Sequence, residues 1–414
     1  MAETSQQGIS TKMLRRSAGS ALRLAVVFAL GMVATRWAQA QTFTVLHSFT
    51  GYPSDGAAPR AGLLRDSAGN LYGTTFGGGS DGCNGQAGCG TVFKLDTSGT
   101  ESVLYSFTQY GDAGWAPYSG LVRDAAGNFY GTTASGGNSG YGYGTVFRID
   151  RKGHETTLFT FIGKNGAYPL AGLVRDSAGN LYGTTQQGGT SRECQVNIGG
   201  CGVVFKVDKN GKETILHSFR GGFTDGAYPA AELVRDSAGN LYGTTQIGGA
   251  SNYGTVFKVS KSGKETVLHS FDGKDGANPL GRLLLYGGKF YGTTSSGGAY
   301  RVGTVFEVDA DGKETVLYSF GAQQGDGDTP EGGVTRDAAG NLYGVTYYGA
   351  AGAWGTVYKL DATGKDFVLH NFTGGSDGGF PYRGVILDAA GNIYGTASYG
   401  GASGRDGVVW KLTP

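Results

Sequence analysis

The sequence has almost no net charge. Its 34 Lys and Arg residues are balanced by 33 Asp and Glu residues, which leaves a formal charge of +1 at pH 7. Binding to nucleic acid needs a basic surface that neutralises phosphates, so this composition excludes a nucleic-acid partner. The sequence also lacks a Gly-x-Ser-x-Gly elbow, a phosphate loop followed by a helix and a Cys/His zinc cluster. No common catalytic motif therefore points to an enzyme.

Long apolar segments are scarce as well, and the one near the N-terminus runs from Leu24 to Ala34. It is too short for a membrane-spanning helix, which needs about 20 apolar residues. Basic residues precede it, and Ala38-Gln39-Ala40 follows as a small-x-small cleavage pattern. We predict a signal peptide over residues 1–40 and a mature chain from about Gln41. That chain would have no membrane span and would be secreted, periplasmic or on the cell surface.

Cysteine is rare, and the four residues fall into two local pairs, Cys83 with Cys89 and Cys194 with Cys201. An exported protein reaches an oxidising compartment, where such pairs form disulfides. We therefore predict two disulfides that make two small loops rigid.

Glycine, by contrast, is abundant at 79 residues, and it separates short segments that repeat seven times. Tyr-Gly-Thr, with Val345 replacing Thr once, starts at Tyr72, Tyr130, Tyr182, Tyr242, Tyr291, Tyr343 and Tyr394. Variants of Gly-Thr-Val-Phe start at Gly90, Gly144, Gly202, Gly254, Gly303, Gly355 and Gly407. Variants of Val-Leu-His-Ser-Phe end at Phe49, Phe107, Phe161, Phe219, Phe271, Phe320 and Phe372. Three motifs with the same count indicate one repeated unit.

Each unit contains two predicted hairpins, as residues 170–219 illustrate. Asp176-Ser-Ala-Gly-Asn180 has the residues of a tight turn, and Asp208-Lys-Asn-Gly211 forms the second turn. Four short antiparallel strands in about 50 residues are typical of a propeller blade. We predict an all-β fold, a single seven-bladed β-propeller over residues 41–414. The repeats lie near 60–107, 118–161, 170–219, 230–271, 280–320, 331–372 and 382–412 plus 43–49.

The last of these repeats combines both ends of the chain. The mature sequence begins with a fourth strand, Thr44 to Phe49, and finishes with a third strand, Gly407 to Leu412. Pairing them would complete blade seven, close the ring and cover two exposed sheet edges.

The repeats resemble the GloVer-type tandem-repeat proteins of bacteria, through Asp176-Ser-Ala-Gly-Asn-Leu-Tyr-Gly-Thr-Thr185 and Gly254-Thr-Val-Phe-Lys-Val259. The resemblance covers residues 43–412 and implies no catalytic residues. Members carry varied anchoring segments, whereas this chain stops at Pro414 directly after its last strand, so we expect release as a soluble protein. The Asp-x-x-Gly-Asn-x-Tyr segment is also similar to NHL propeller repeats, which supports the fold only.

One face of the predicted propeller carries the variable loops, and the repeat symmetry breaks there. Glu232 and Arg282 replace glycine at the start of the inner strand in blades four and five, where they would be neighbours near the channel. The residue before the third strand also varies from blade to blade, from Cys89 to Trp354 and Asp406. Aromatic faces beside planar hydrogen-bonding groups suit sugars or peptides. The candidate ligand-binding residues are Arg60, Trp115, Tyr118, Glu232, Arg282, Glu331, Trp354, Tyr382, Arg383 and Asp406.

Several interpretations remain open at this point. Glu232 and Arg282 could simply pair across blades while the tyrosines pack. Loops such as Asp225-Gly-Ala-Tyr-Pro229 could hold calcium, although an Asp-Gly turn before Pro explains them more simply. Four of the five histidines share a repeat position with Tyr and Phe, which indicates packing.

We predict an exported, monomeric, non-enzymatic propeller that needs no cofactor and binds an extracellular glycan or protein. The alternatives are a structural surface protein and a polysaccharide lyase or hydrolase with its site at the central channel.

Overall fold

The computed structural model describes residues 41–80, 83, 88–110, 112–137, 142–194, 198–349 and 352–414. The predicted signal peptide lies outside these residues. Thr42–Thr413 forms one compact unit. The described residues contain only strands, turns and loops. Over the same part of the chain, no helix is long and apolar enough to cross a membrane.

Seven four-stranded antiparallel sheets form a seven-bladed β-propeller, as predicted. From the first strand of each blade, which lines the central channel, to the fourth, the strands are as follows. Blade one has Leu64–Arg65, Leu71–Thr75, Thr91–Leu95 and Glu101–Ser106; blade two has Val122–Arg123, Phe129–Thr133, Thr145–Ile149 and Glu155–Thr160. Blade three has Val174–Arg175, Leu181–Thr185, Val203–Val207 and Glu213–Ser218; blade four has Val234–Arg235, Leu241–Thr245, Thr255–Val259 and Glu265–Ser270. Blade five has Leu284–Tyr286, Lys289–Thr294, Thr304–Val308 and Glu314–Ser319; blade six has Thr335–Arg336, Leu342–Thr346, Thr356–Leu360 and Asp366–Asn371.

Blade seven confirms the predicted ring closure. It consists of Ile386–Leu387, Ile393–Ala397, Val408–Thr413 and, as its fourth strand, Thr42–Ser48 from the other end of the chain. The register runs from Thr42 opposite Thr413 to Ser48 opposite Val408. Phe43 from the closing strand stacks on Trp410, with ring centroids 5.7 Å apart. The first and last strands of the chain therefore share one buried core.

Four two-stranded ribbons supplement the blades on the loop-rich face. Each joins the linker that enters a blade to that blade's loop between its second and third strands. They are Gly56–Ala57 with Gly77–Gly78, Gly114–Trp115 with Ser135–Gly136, Gly226–Ala227 with Ile247–Gly248, and Gly327–Asp328 with Tyr348–Gly349.

The core lies between blades and explains two of the sequence motifs. Phe161, the last residue of one motif, packs edge-on against Phe205 of the next blade, with centroids 5.1 Å apart. Phe205 in turn covers Gly183 of Tyr-Gly-Thr, where a Cβ would lie 2.6 Å from Phe205 Cζ. Real Cβ atoms do not approach so closely, so the motif needs glycine at this position.

The repeated Asp turns hold the opposite face together. The Asp176 carboxylate accepts hydrogen bonds from the backbone N–H groups of Ala178 and Asn180, from Asn180 Nδ2 and from the Tyr182 hydroxyl, all within 3.0 Å. Burial alone would raise the pKa of Asp176, but these hydrogen bonds to the carboxylate outweigh it and lower the pKa. The Asp176 carboxylate thus holds the turn in place through a local network of hydrogen bonds.

Candidate functional site

Seven linkers lead from one blade to the next on the loop-rich face. Each contains a proline, which directly precedes the linker residue at the channel mouth. The residue before each proline has positive φ, for example Phe380 at 55°. Its N–H donates to the carbonyl of the residue just before the third strand of the preceding blade, as in Phe380 to Trp354, 2.8 Å. The variable column that includes Trp354 and Asp406 is therefore a backbone clasp between blades. Because this contact uses backbone atoms only, the side chains at these positions can differ from blade to blade.

The residue after each linker proline lies at the channel mouth, and this position divides the ring into two parts. Blades three, four and five contribute the small or apolar residues Leu170, Ala230 and Leu280. Blades six, seven, one and two contribute Glu331, Tyr382, Arg60 and Tyr118. Charge and aromatic surface are thus concentrated on four consecutive blades.

The side chains at this charged part of the mouth contact one another. Tyr118 and Tyr382 meet edge-to-face across the entrance to blade one, with centroids 5.5 Å apart. The Arg60 guanidinium lies 4.2 Å from the Phe76 ring centroid and 5.3 Å from that of Tyr118. Such cation–π contacts fix the guanidinium plane without using its N–H donors.

The aromatic surface continues outward along blades six and seven. Tyr347 contacts Tyr382 at 5.7 Å and stacks on Phe380 at 5.0 Å. Phe380 contacts Trp354 at 4.7 Å, and Trp354 stacks on Tyr399 at 5.3 Å with an interplanar angle of 11°. We call the continuous surface of Phe76, Tyr118, Tyr382, Tyr347, Phe380, Trp354 and Tyr399 the aromatic shelf.

Arg383 spans the channel beside this shelf. Its Nη1 donates to the carbonyl of Leu280 and its Nη2 to the carbonyl of Leu170, each at 3.3 Å. One side chain of blade seven thereby links the linkers that enter blades five and three. Arg383 also lines the channel cavity of about 750 Å³, whose wall is formed by the first strands of the blades.

Glu331 is the carboxylate of the charged part of the mouth. Burial raises its pKa, and the nearby Tyr382 hydroxyl and the positive charges of Arg383 and Arg60 offset this rise only in part. Its Oε2 is buried and makes no hydrogen bond within the described part of the chain. Burial and the charge of Glu331 also raise the pKa of Tyr382, so its phenol stays protonated and can donate.

The structure brings Glu232 and Arg282 together, as expected for adjacent blades, with 3.4 Å between Arg282 Nη1 and Glu232 Oε1. Both line the cavity, but the Arg282 side chain is 57% exposed. Their mutual pairing matches the simpler of the two interpretations of these residues.

Two other predicted residues lie away from the shelf. Trp115 pairs with Ser135 in a two-stranded ribbon and packs against the core that contains Cys83 and Cys89. The backbone carbonyl of Asp406 accepts the N–H of Ala58 at 2.8 Å. These contacts place the Trp115 side chain and the Asp406 backbone, and ligand binding by either side chain stays a prediction.

Both disulfides are formed, with Cα–Cα distances of 5.2 Å in each. They lie in equivalent loops of blades one and three, and one cysteine of each, Cys89 or Cys201, is also the residue whose carbonyl bonds the next linker. Each disulfide therefore fixes a loop of the variable face at its attachment to the next blade.

The shared histidine position has a polar role as well as a packing role. His269 packs edge-on against Phe271, and its Nε2 lies 2.9 Å from Asp275 Oδ2. Three such sites bring ligand atoms of His, Asp and Glu within 4.8 Å, namely His47/Asp55/Glu101, His217/Asp225/Glu265 and His269/Asp275/Glu314. The hydrogen bonds of these aspartates join adjacent blades, and calcium at these loops stays the less favoured, untested alternative.

Sequence reasoning missed part of the shelf, namely Phe76, Tyr347, Phe380 and Tyr399. A signal was present, because Phe76 and Tyr347 directly follow the second strand of their blades, where other blades have Ala, Gln or Ser. Phe380 precedes a linker proline. Comparing these two columns between repeats would have identified both positions.

Several solved structures are similar to this chain, and two of them align with TM-scores above 0.5. The extracellular domain of BT3049 of B. thetaiotaomicron, assigned to the hybrid two-component systems, aligns with a TM-score of 0.55 at 13% identity, covering 90% of this chain and 41% of that one. The extracellular domain of BT4673 of B. thetaiotaomicron, assigned to the one-component systems, gives 0.53 at 12% identity, over 88% and 40%. XC5397 of Xanthomonas campestris, a gluconolactonase, gives 0.41 at 15% identity, over 70% and 82%. This chain therefore spans about two fifths of the two extracellular domains.

Sequence comparison gives a more direct relationship. No curated protein shows significant similarity to the chain. The profile of one family, the Gloeobacter/Verrucomicrobia repeat, matches residues 19–197 and 195–410. These matches cover most of the chain and all seven blades, so the chain belongs to the Gloeobacter/Verrucomicrobia repeat family.

Proposed function

We propose that this protein is an extracellular binding protein that recognises a carbohydrate on the aromatic shelf. The observation that carries the proposal is the continuity of the shelf from Phe76 to Tyr399 beside the guanidinium of Arg60. Sugar rings present apolar C–H faces and hydroxyl edges, which fit aromatic faces flanked by planar hydrogen-bonding groups.

The location of the shelf supports binding rather than a purely structural role. Seven equal blades need only the repeated core contacts for stability. The shelf, however, occurs on four consecutive blades, whereas the positions after the linker prolines of the other three blades hold Leu170, Ala230 and Leu280. Tyr348 and Tyr399 at its outer edge are 43% and 37% exposed. Exposed aromatic clusters on one face are typical of interaction sites.

An extracellular location is part of the proposal. Two disulfides fit an oxidising compartment, and the propellers of BT3049 and BT4673 belong to extracellular domains. The N-terminal apolar run and the cleavage pattern also support export of this protein.

A glycan array with the purified protein tests this function. The site variant replaces Tyr118, Trp354 and Tyr382 by Ala, and the control replaces the exposed Tyr286 and Phe367 near the opposite face by Ala. We expect selective binding by the wild type and the control, and loss of binding in the site variant while its thermal unfolding stays cooperative. No binding by the folded wild type would refute carbohydrate recognition, and retained binding in the site variant would place the site elsewhere.

A further inference from the structure

The guanidinium of Arg60 is held in place by aromatic rings, and its charge acts on Glu331 without forming an ion pair among the described residues. It makes no ion pair within 4.0 Å and no hydrogen bond to any residue that the structure describes, whereas Arg65, Arg123 and Arg282 each have a carboxylate within that distance. Stacking on Phe76 leaves its edge N–H donors available. An oriented guanidinium with free donors is suited to bidentate binding of a planar anion.

The charges near Arg60 are mostly positive. Among the seven residues that follow the linker prolines, Arg60 is the only base and Glu331 the only acid. Arg383 adds a second guanidinium whose described hydrogen bonds go to neutral carbonyls. Asp328 precedes Glu331 by three residues, and its carboxylate accepts a hydrogen bond from the Thr329 hydroxyl at 3.0 Å. Apart from the ion pair of Glu232 and Arg282, these residues place two guanidinium groups beside one partly buried carboxyl.

Glu331 affects the charge beside Arg60. Burial raises the pKa of Glu331, which extends its neutral form to higher pH. Its Oε2 is buried and has no hydrogen-bond partner in the described structure, so this oxygen does not face a ligand. An ionised carboxylate at the same place would repel an anion.

Resting on the proposed function, we propose that the ligand is an acidic glycan whose uronate carboxylate forms a bidentate ion pair with Arg60. Glu331 acts on that carboxylate only through the charge that it carries near Arg60. The sugar rings lie against Tyr118 and Tyr382. The ligand's charge is therefore recognised at the channel mouth, and the faces of its rings are recognised along the aromatic shelf. Arg383 contributes positive potential without a required contact.

Isothermal titration with an oligogalacturonate trimer and with its fully methyl-esterified counterpart tests this inference. The two ligands share rings and length and differ in charge, so the ratio of their affinities reports the carboxylate contact. We expect the wild type to prefer the acid by about 10- to 100-fold, the range for hydrogen bonds between charged groups. Arg60→Gln keeps a planar side chain but removes the charge, and it should reduce the preference to about 1 while still binding the ester.

Two further variants complete the design. Glu331→Gln removes the negative charge that Glu331 can carry near Arg60, and it should retain or raise the preference for the acid; a loss of the preference in this variant would contradict the carboxylate contact with Arg60. Arg192→Gln, an exposed arginine on a blade-three loop, is the control and should behave like the wild type.

The outcomes separate this inference from the proposed function. Equal binding of acid and ester, lost in the Tyr118, Trp354 and Tyr382 variant, would overturn the carboxylate contact and leave carbohydrate binding intact. Tighter binding of a sulfated than of a uronate oligosaccharide would also overturn it. Binding of neither trimer, together with selective binding of other glycans on the array, would refute only the uronate.

Discussion

The glutamates that begin the fourth strands predict an unusual pH dependence of stability. Burial raises the pKa of Glu101, Glu213, Glu265 and Glu314 from the ordinary 4.5 to about 7. One carboxyl oxygen of each is buried without a hydrogen-bond partner in the described structure. The folded protein therefore binds these protons more tightly than the unfolded chain. Stability is then greatest below about pH 4.5 for these groups and is lost as pH rises to about 7.

Replacing all four glutamates by Gln keeps the neutral shape and removes this loss. By linkage a rise from 4.5 to about 7 would correspond to at most about 3 kcal/mol per group. These side chains are partly exposed, and solvent screening reduces the effect to about 1 kcal/mol each. The quadruple variant should therefore be about 4 kcal/mol more stable than the wild type at pH 8. For a chain of this length that raises Tm by about 5 °C.

Thermal unfolding by circular dichroism at pH 5, 6, 7 and 8 measures this difference. The variant and the wild type should have nearly equal Tm values at pH 5, and the gap should open as pH rises to 8. Glu193→Gln, at an exposed loop glutamate, controls for the loss of a negative charge. A variant less stable than the wild type at pH 8 would show that the ionised glutamates have stabilising partners, and it would refute the reasoning.

Four shorter predictions concern the turns, the loops, the channel pair and the closing blade. Asp176→Ala should lower the free energy of unfolding in urea by about 1–2 kcal/mol, because four hydrogen bonds are lost; the difference should begin to shrink near the ordinary pKa of 3.8 and be lost as pH falls through the lower pKa of the folded protein. Reduction of both disulfides should lower stability by about 2 kcal/mol for each small loop, measured by urea unfolding with and without reductant. A double-mutant cycle on Glu232 and Arg282 should give a coupling of about 0–1 kcal/mol, because the pair is solvent-exposed. Trp410→Ala should cost about 3–5 kcal/mol in thermal or urea unfolding, since this side chain is fully buried in the blade that joins the chain ends.

The architecture could be predicted because each blade repeats the same local instructions. Asp-x-x-Gly-Asn specifies a turn, and the glycine of Tyr-Gly-Thr leaves room for an aromatic ring of the third strand. The Phe that ends each fourth-strand motif specifies a contact with the next blade. The incomplete units at the two ends then leave pairing of Thr42–Ser48 with Val408–Thr413 as the way to complete the ring. These features depend on short segments and on repetition, and both are visible in one sequence.

The polar contacts between blades could not be predicted in the same way. His269 was interpreted from its exchange with Tyr and Phe at the same repeat position, which shows that a ring fits but not what it bonds. Its partner Asp275 is placed by a linker that folds back, and Glu314 comes from the next blade. Likewise, the Tyr382 hydroxyl and the charge of Arg383, which both lower the pKa of Glu331, come from a neighbouring blade. Such contacts depend on how blades face one another, which sequence spacing does not contain.

The blades of this propeller differ most at the channel mouth, and these differences are the features that indicate a function. If the mouth were only structural, the position after each linker proline would be free to hold the same small residue in all seven blades, as Ala230 does in blade four. Instead, Glu331, Tyr382, Arg60 and Tyr118 occupy four consecutive blades, and Arg383 reaches across to the apolar side. Burying the Glu331 carboxyl costs stability, since one of its oxygens gains no hydrogen bond within the described chain. Glu101, Glu213, Glu265 and Glu314 bear the same cost at repeated positions, so it is the asymmetric placement of Glu331 beside Arg60 and the aromatic shelf that is better explained by a ligand than by folding.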